Sequence, residues 1–398
     1  MRLLLLVLAA SSFLSNIVNA QSVPPKLKPN RVTLAGGNSF ELYLPEYLTV
    51  SVAAEGLKRV RFMARSPDGR IFVTDMYNLA DNTKGTVYIL DEFDARNRRF
   101  NKVIPYLTGL RNPNSIAFHT DENGADWFYL ALTDRLLRYK FTRGETKPNA
   151  EAQVLTTFPD YGLGYKYGGW HLTRTIAIGT NNKLYISVGS SCNACEEKEE
   201  VRATIIEMDL DGRNQRHFAR GLRNAVGLRW VEDRLYATNM GADHLGDARP
   251  ADTMYRIIEG ANYGWPYCYQ SGAKVFRDMG FNSRGQKMNC RSVPLANAAF
   301  AAHSSPLGLE YFDSSQNNSL GGHFLVALHG STKRSLKRGY RVVRIPRNAK
   351  SAAGEDFMMG FLDEGKVHGR PVDILRIAPD TFLLTDDRAG VIYSVYPK

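Results

Sequence analysis

After its first twenty residues the chain has no apolar run approaching the roughly 20 residues that a membrane-spanning helix needs, so no stable membrane insertion is expected. It has no low-complexity tract. With 43% hydrophobic and 23% charged residues it lies outside the disordered, collagen-like and coiled-coil classes. Cysteine is scarce, four in 398 residues, so stability must come from a buried core and not from a disulfide framework. The 3.6-residue apolar period of amphipathic helices is missing: apolar residues fall in short runs or alternate. Also absent are G-x-x-x-x-G-K-[ST], H-E-x-x-H, G-x-S-x-G, and G-x-G-x-x-G between strand and helix. These absences disfavour nucleotide hydrolases, zincins and α/β-hydrolases.

Aromatic residues and glycine are plentiful, with 20 Tyr, 19 Phe and 34 Gly, which favours strands and turns and an all-β class. Residues 1–20 read as a secretory signal: Arg2, an apolar stretch from Leu3, and the small-residue site Val18-Asn19-Ala20. Residues 21–398 then form the mature chain as a single domain, secreted and extracellular, or periplasmic if the host is bacterial. In an oxidising compartment Cys192, Cys195, Cys268 and Cys290 are expected to pair. Three connectivities are open, and local spacing favours Cys192 with Cys195 and Cys268 with Cys290. Asn317-Asn318-Ser319 is a glycosylation sequon. The net charge of +11 is carried by scattered basic residues with only short clusters, such as Arg96, Arg98 and Arg99. This reads as a solvated basic surface with no nucleic-acid partner, and the sharper alternative is an anionic small molecule held by a few inward arginines.

One pattern recurs six times: a short apolar strand, a turn often spelled Pro-Asp or Asp-Gly, a second strand often ending in Thr or Asp, then a third strand. The second strands begin at residues 71, 127, 183, 234, 323 and 381. A period of roughly 50 residues with several antiparallel strands marks a propeller blade, because so small a sheet must bury both faces against neighbours. The expectation is a six-bladed β-propeller of four-stranded antiparallel blades. Residues 31–50 are expected to supply a strand that closes the ring. The long interval before 323 implies an insertion around 260–305, held by Cys268 and Cys290.

Three segments carry candidate chemistry. His171 follows Gly168-Gly169-Trp170 at the entrance to the third blade, where propellers build sites near the central channel. A histidine taken at random is more often structural, and the position raises its odds. Arg223-Asn224 opens the fourth blade, although the sister sequence Arg111-Asn112 at the second blade also fits a repeat-encoded turn. Gly241-Ala242-Asp243-His244 runs through Asp247 and Asp252 towards Asn262-Tyr263-Gly264-Trp265-Pro266, and its oxygens suit calcium. A lone C-x-x-C at Cys192 reads as a loop-pinning disulfide in preference to a zinc site.

In this order and spacing, the histidine, the Arg-Asn entrance and the NYGWP segment resemble the soluble quinoprotein sugar dehydrogenases and their sorbosone and pyranose dehydrogenase-like relatives. The resemblance runs from about Val60 to the C-terminus and includes Val326–Ser331 and Gly369–Val372. It implies a six-bladed propeller that binds pyrroloquinoline quinone (PQQ) and calcium, oxidises a sugar or sugar aldehyde, and passes electrons to an external acceptor other than oxygen. By motif, His171 corresponds to the catalytic base, Arg223 and Asn224 to the pair at the quinone carbonyls, and Arg370 to a partner of the cofactor carboxylates. Gly241 and Ala242 correspond to the carbonyls that bind calcium. The family's lysine falls near His329, with Lys337 as a second candidate, Val226 replaces a polar cofactor contact, and Ala242 replaces a proline. Two other classes remain open: a secreted propeller that binds without catalysis, and a calcium-dependent lactonase, which needs a ring of inward Asp, Glu and Asn.

Overall fold

A computed structural model of the chain describes residues 24–160, 171–314 and 320–398. The signal segment, Gly168-Gly169-Trp170 and the sequon lie outside the described residues. Six four-stranded antiparallel sheets form the expected all-β propeller. Blade 1 comprises Val60–Arg65, Ile71–Asp75, Gly85–Asp94 and Arg99–Leu110, and blade 2 comprises Ser115–Thr120, Asp126–Ala131, Arg135–Phe141 and Gln153–Thr157. Blade 3 comprises Arg174–Ile178, Lys183–Val188, Thr204–Asp209 and Arg216–Arg220. Blade 4 takes Leu228–Val231, Arg234–Asn239, Asp252–Ile257 and Ala298–Phe300, and blade 5 takes Pro306–Phe312, His323–Leu328, Arg341–Pro346 and Glu355–Met358. Blade 6 takes Pro371–Ala378, Thr381–Asp386 and Val391–Pro397, completed by the N-terminal strand Leu48–Ala54.

The closing strand therefore comes from the end of the 31–50 segment, beginning at Leu48 and running on to Ala54. Leu48–Ala54 pairs antiparallel with Val391–Pro397, tying the two ends of the chain into one sheet. Residues Leu27–Thr33 and Ser39–Pro45 instead form a separate hairpin. Its Val32, Phe40, Leu42 and Leu44 are buried in the cluster that includes Phe357 and Phe361, so its apolar face caps an existing interface and does not extend a blade. The insertion interrupts blade 4 between its third and fourth strands. It contains the hairpin Cys268–Ser271 with Lys274–Arg277 and is closed by the Cys268–Cys290 disulfide.

Each inter-blade gap has its own apolar cluster. Between blades 1 and 2, for example, Phe72 and Ile89 meet Phe128 and Leu130. Burial at roughly 25 cal/mol per Å² makes these gaps, and not the small single sheets, the main source of stability. A repeat-encoded threonine adds a polar staple. Thr385 Oγ1 accepts the N–H of Asp373 (2.9 Å) in its own blade and donates to the carbonyl of Arg61 (2.8 Å) in the next. Thr238 does the same between Gly227 and Leu307 (2.8 and 2.7 Å), and Thr74 between Phe62 and Asn114 (3.0 and 2.7 Å).

Candidate active site

In every blade the first strand pairs antiparallel with the second, so the entry of the first and the exit of the second lie at one end. His171, Asn224 and Arg370 precede or approach first strands, while Gly241, Ala242 and His329 follow second strands. The repeat thus gathers the candidate residues on one face of the ring. Beneath them Phe62, Val226, Leu307 and Val372, from four blades, form a buried apolar plug with Met240 against it. Val226 is 1% exposed and belongs to this floor, which explains an apolar residue at that position. Below it the central channel encloses about 330 Å³ between the innermost strands.

His171 is half-buried, and its Nδ1 lies 2.9 Å from the Ser190 carbonyl and 3.1 Å from Ser190 Oγ. A carbonyl can only accept, so Nδ1 carries the hydrogen and Nε2 the basic lone pair. Burial, then the positive charge of Arg223, hold the imidazole well below its ordinary value. Arg174 and Arg202 act in the same direction, and the Ser190 hydrogen bond opposes them. The close approach of two blades depends on Gly189. A Cβ there would lie 2.6 Å from His171 Cβ and 2.7 Å from Asn224 Oδ1, distances no side chain tolerates. His171 and Asn224 therefore flank the same glycine.

Arg223 is buried and donates from Nε to the Asn193 carbonyl (2.8 Å), from Nη2 to Asn193 Oδ1 (3.0 Å) and from Nη1 to the Gly241 carbonyl (2.9 Å). A guanidinium has five N–H groups, so two remain for a ligand. Asn224 is fixed by its backbone N–H to Asn239 Oδ1 (3.1 Å) and by Nδ2 to Met240 Sδ (3.4 Å). Behind the Gly241 loop, Asp252 accepts the N–H groups of Gly241 and Ser305, both at 2.7 Å. Burial pushes this carboxyl up to about 6, against those hydrogen bonds and the charge of Arg223.

A second cluster spans blades 5, 6 and 1. His329 Nε2 is 2.8 Å from Asp387 Oδ1, whose carboxylate also takes Arg61 (2.9 Å) and Arg59 (3.3 Å). Arg370 donates from Nη1 to the Gly330 carbonyl (3.1 Å) and from Nη2 to the Ser331 carbonyl (3.0 Å) and Tyr340 Oη (2.9 Å), and Nη1 faces His329 Nδ1 at 3.3 Å. Its terminal nitrogens are thus committed within the protein. Lys337 lies exposed on the loop after the second strand of blade 5, whereas His329 is 8% exposed.

The donor chemistry fits a planar polyanion: Arg59, Arg61, Arg223 and Arg370 converge on one face, and Arg174 is fully buried beside His171, its Nε and Nη2 without a partner among the described residues. Calcium has a narrower footing. The Gly241 carbonyl spends one lone pair on Arg223, while that of Ala242 accepts no protein donor among the described residues. A calcium ion held at these two carbonyls would need further oxygens from a bound ligand. Among the described residues, the single grouping of three His, Cys, Asp or Glu ligand atoms is Cys192, Cys195 and Glu197, and its sulfurs are joined as a disulfide. The sequence argument missed Gly189, Ser190, Asn193 and Asp387. Gly189 and Asp387 occupy the position directly after a second strand, as His329 does, so superposing the repeats would have marked them.

Comparison with known proteins identifies a family and a shared fold. The TrAA12-like family model matches residues 45–360. An uncharacterized protein of Borreliella burgdorferi is 31% identical over 238 residues, covering 57% of this chain and 60% of that relative, so the match spans less than two thirds of the curated protein. Among solved structures, the holo form of the pyranose dehydrogenase PQQ domain from Coprinopsis cinerea superposes with a TM-score of 0.70 at 18% identity, over 89% of this chain and 97% of that one. The calcium structure of a Trichoderma reesei carbohydrate-active enzyme of family AA12 gives 0.72 at 16% identity, over 96% and 99%. The PQQ-bound aldose sugar dehydrogenase of Streptomyces coelicolor gives 0.60 at 19%, over 89% and 100%. At these identities the superpositions establish the shared propeller fold.

Proposed function

We propose that this chain, which belongs to the TrAA12-like family, is a quinoprotein sugar oxidoreductase that oxidises a sugar or sugar aldehyde with PQQ as hydride acceptor and passes electrons to an external acceptor other than oxygen. The observation that carries this reading is the meeting of His171 and Asn224 across Gly189, with Arg223 anchored beside them. PQQ, when bound, supplies the two-electron redox centre.

The protein's own residues prepare the proton and charge chemistry. His171 Nε2 is oriented to take the hydroxyl proton of the sugar, because the Ser190 carbonyl fixes the tautomer through Nδ1. Burial and the charge of Arg223 lower its pKa and so favour the neutral base, at the cost of some basicity. Arg223 and Asn224 can donate to oxygen on which negative charge develops, and the buried setting strengthens that effect. The apolar plug of Val226 and its neighbours closes the floor of the site towards the central channel.

Arg370, Arg59 and Arg61 supply positive potential for cofactor carboxylates, Arg370 through its charge because its terminal N–H groups are already occupied. His329 takes part through Arg370, and Lys337 is placed to reach a ligand only from the rim. Calcium held at the Ala242 and Gly241 carbonyls would add counter-charge. Among the described residues no helix is long and apolar enough to cross a membrane. Together with the leader-like N-terminus and the two disulfides, this supports secretion. The test is to load purified protein with PQQ and calcium and screen aldoses, ketoses and sugar aldehydes with an artificial electron acceptor. Turnover of at least one is expected. No turnover, with no quinone absorbance retained after desalting, would overturn the reading.

A further inference from the structure

The loop closed by Cys192 and Cys195 has no chemical role in the mechanism above, yet the site residues hang on it. Asn193 lies between the two cysteines and offers two oxygens to one guanidinium, its carbonyl to Arg223 Nε (2.8 Å) and Oδ1 to Nη2 (3.0 Å). The same Oδ1 accepts the N–H of Asp243 at 2.8 Å, which ties the rim of blade 4 to blade 3. On the other side of the loop, Ser190 Oγ donates to the Cys192 carbonyl (2.6 Å), and the Ser190 carbonyl holds His171. Ser191 is fixed to the Glu197 carboxylate through its N–H and Oγ, at 2.7 and 2.6 Å.

The kind of partner matters as much as the geometry. The nearest carboxylate contact of Arg223 is Asp243 Oδ2 at 3.9 Å, beyond hydrogen-bond range. Neutral oxygens therefore hold this buried cation. An aspartate at 193 would fix the same direction but cancel the charge, whereas an amide fixes the direction and leaves the charge for an anionic ligand. A disulfide enclosing only two residues restrains both oxygens at once.

We propose that Asn193, restrained by the Cys192–Cys195 disulfide, is the positioning residue for Arg223, orienting its guanidinium towards the cofactor while leaving its charge unneutralised. The cofactor part of this statement rests on the quinoprotein reading. The test compares Asn193→Ala, Asn193→Asp, Arg223→Lys, the Asn193→Ala/Arg223→Lys pair and the Cys192→Ser/Cys195→Ser pair. PQQ titration, steady-state kinetics and the Arg223 Nη2–H resonance, which reports the bond to Asn193 Oδ1, are measured on each.

Asn193→Ala should bind PQQ about tenfold more weakly and turn over about tenfold more slowly, with the sugar KM within about twofold, the effect of losing one hydrogen bond to a charged group. Asn193→Asp should keep the slowly exchanging Arg223 resonance and still lose affinity. The double serine variant should lose both the resonance and the affinity. In an Arg223→Lys background Asn193→Ala should add nothing, since a lysine cannot use the two oxygens of a fork. Normal affinity in a folded Asn193→Ala protein, or a loss that adds fully to that of Arg223→Lys, overturns the proposal. If the unmodified protein takes up no PQQ, the functional reading fails separately. The resonance then decides the positioning role: its loss in Asn193→Ala supports the clamp, and its persistence overturns it.

Discussion

His329 Nε2 and Asp387 Oδ1 lie 2.8 Å apart, each directly after the second strand of its blade. The contact makes Asp387 the hub of three blades, because Arg61 and Arg59 of blade 1 reach the same carboxylate. Burial alone would push Asp387 up, but His329, Arg61 and Arg59 outweigh it and hold the carboxyl below the usual range. His329 is itself held low by burial, against the pull of Asp387. With the imidazole neutral, the two arginines are the charges that keep Asp387 ionised.

Removing that hub should destabilise the ring. Asp387→Ala leaves Arg61 buried without its counter-ion, a change that costs about 3–5 kcal/mol for a broken buried pair. Urea denaturation of the variant against the parent measures it. Since the folded pKa lies below the unfolded one, the stabilisation is present above the ordinary aspartate pKa and lost as pH falls through the folded value. Asp387→Ala should therefore show a flatter decline of stability under acid. A parent-like stability at neutral pH would refute the hub.

Gly189→Ala tests whether the approach of blades 3 and 4 shapes the site. The added methyl would sit 2.6 Å from His171 Cβ and 2.7 Å from Asn224 Oδ1, so one of them must move. Overpacking of this kind costs about 1–3 kcal/mol. Turnover should fall by more than the folded fraction does, because both displaced groups face the reaction. Activity that follows melting temperature alone would argue against it.

The blade period was readable because each repeat buries the same faces: the six second strands begin within one residue of the positions expected from apolar alternation. The ring closure was misplaced by several residues, since the hairpin of Leu27–Pro45 carries a strand pattern as good as that of Leu48–Ala54. Which strand joins blade 6 is a matter of long-range pairing with Val391–Pro397, which no local pattern reveals. The same limit applies to the site. His171 and Arg223 carry local motifs, but Asp387 meets Arg61 across 326 residues of sequence, and Asn193 earns its place through a residue 30 positions away.

Calcium enters through charge balance. If a calcium ion at the Ala242 and Gly241 carbonyls helps hold the cofactor carboxylates, stripping the protein with a chelator should weaken PQQ binding, and added calcium should restore it. The Gly241 carbonyl is shared with Arg223, so Arg223→Lys should also alter the calcium requirement. An unchanged PQQ affinity in metal-free protein would contradict the carbonyl site.

His171→Gln separates chemistry from binding. Glutamine keeps similar size and some hydrogen bonding but lacks the basic nitrogen, so PQQ should remain bound while turnover falls by roughly 10²- to 10⁴-fold, the usual worth of a positioned base. In the parent enzyme the imidazole is held well below its ordinary value by burial and by Arg223. The acid limb of kcat/KM should therefore have its midpoint below the ordinary histidine pKa of about 6.5, with the rate falling only as the pH drops through the lowered value. Arg223→Gln removes one cause of the depression, so the remaining activity should show that limb moved to higher pH. Near-normal turnover in folded His171→Gln protein, or a limb that disregards Arg223, would remove His171 from the chemistry.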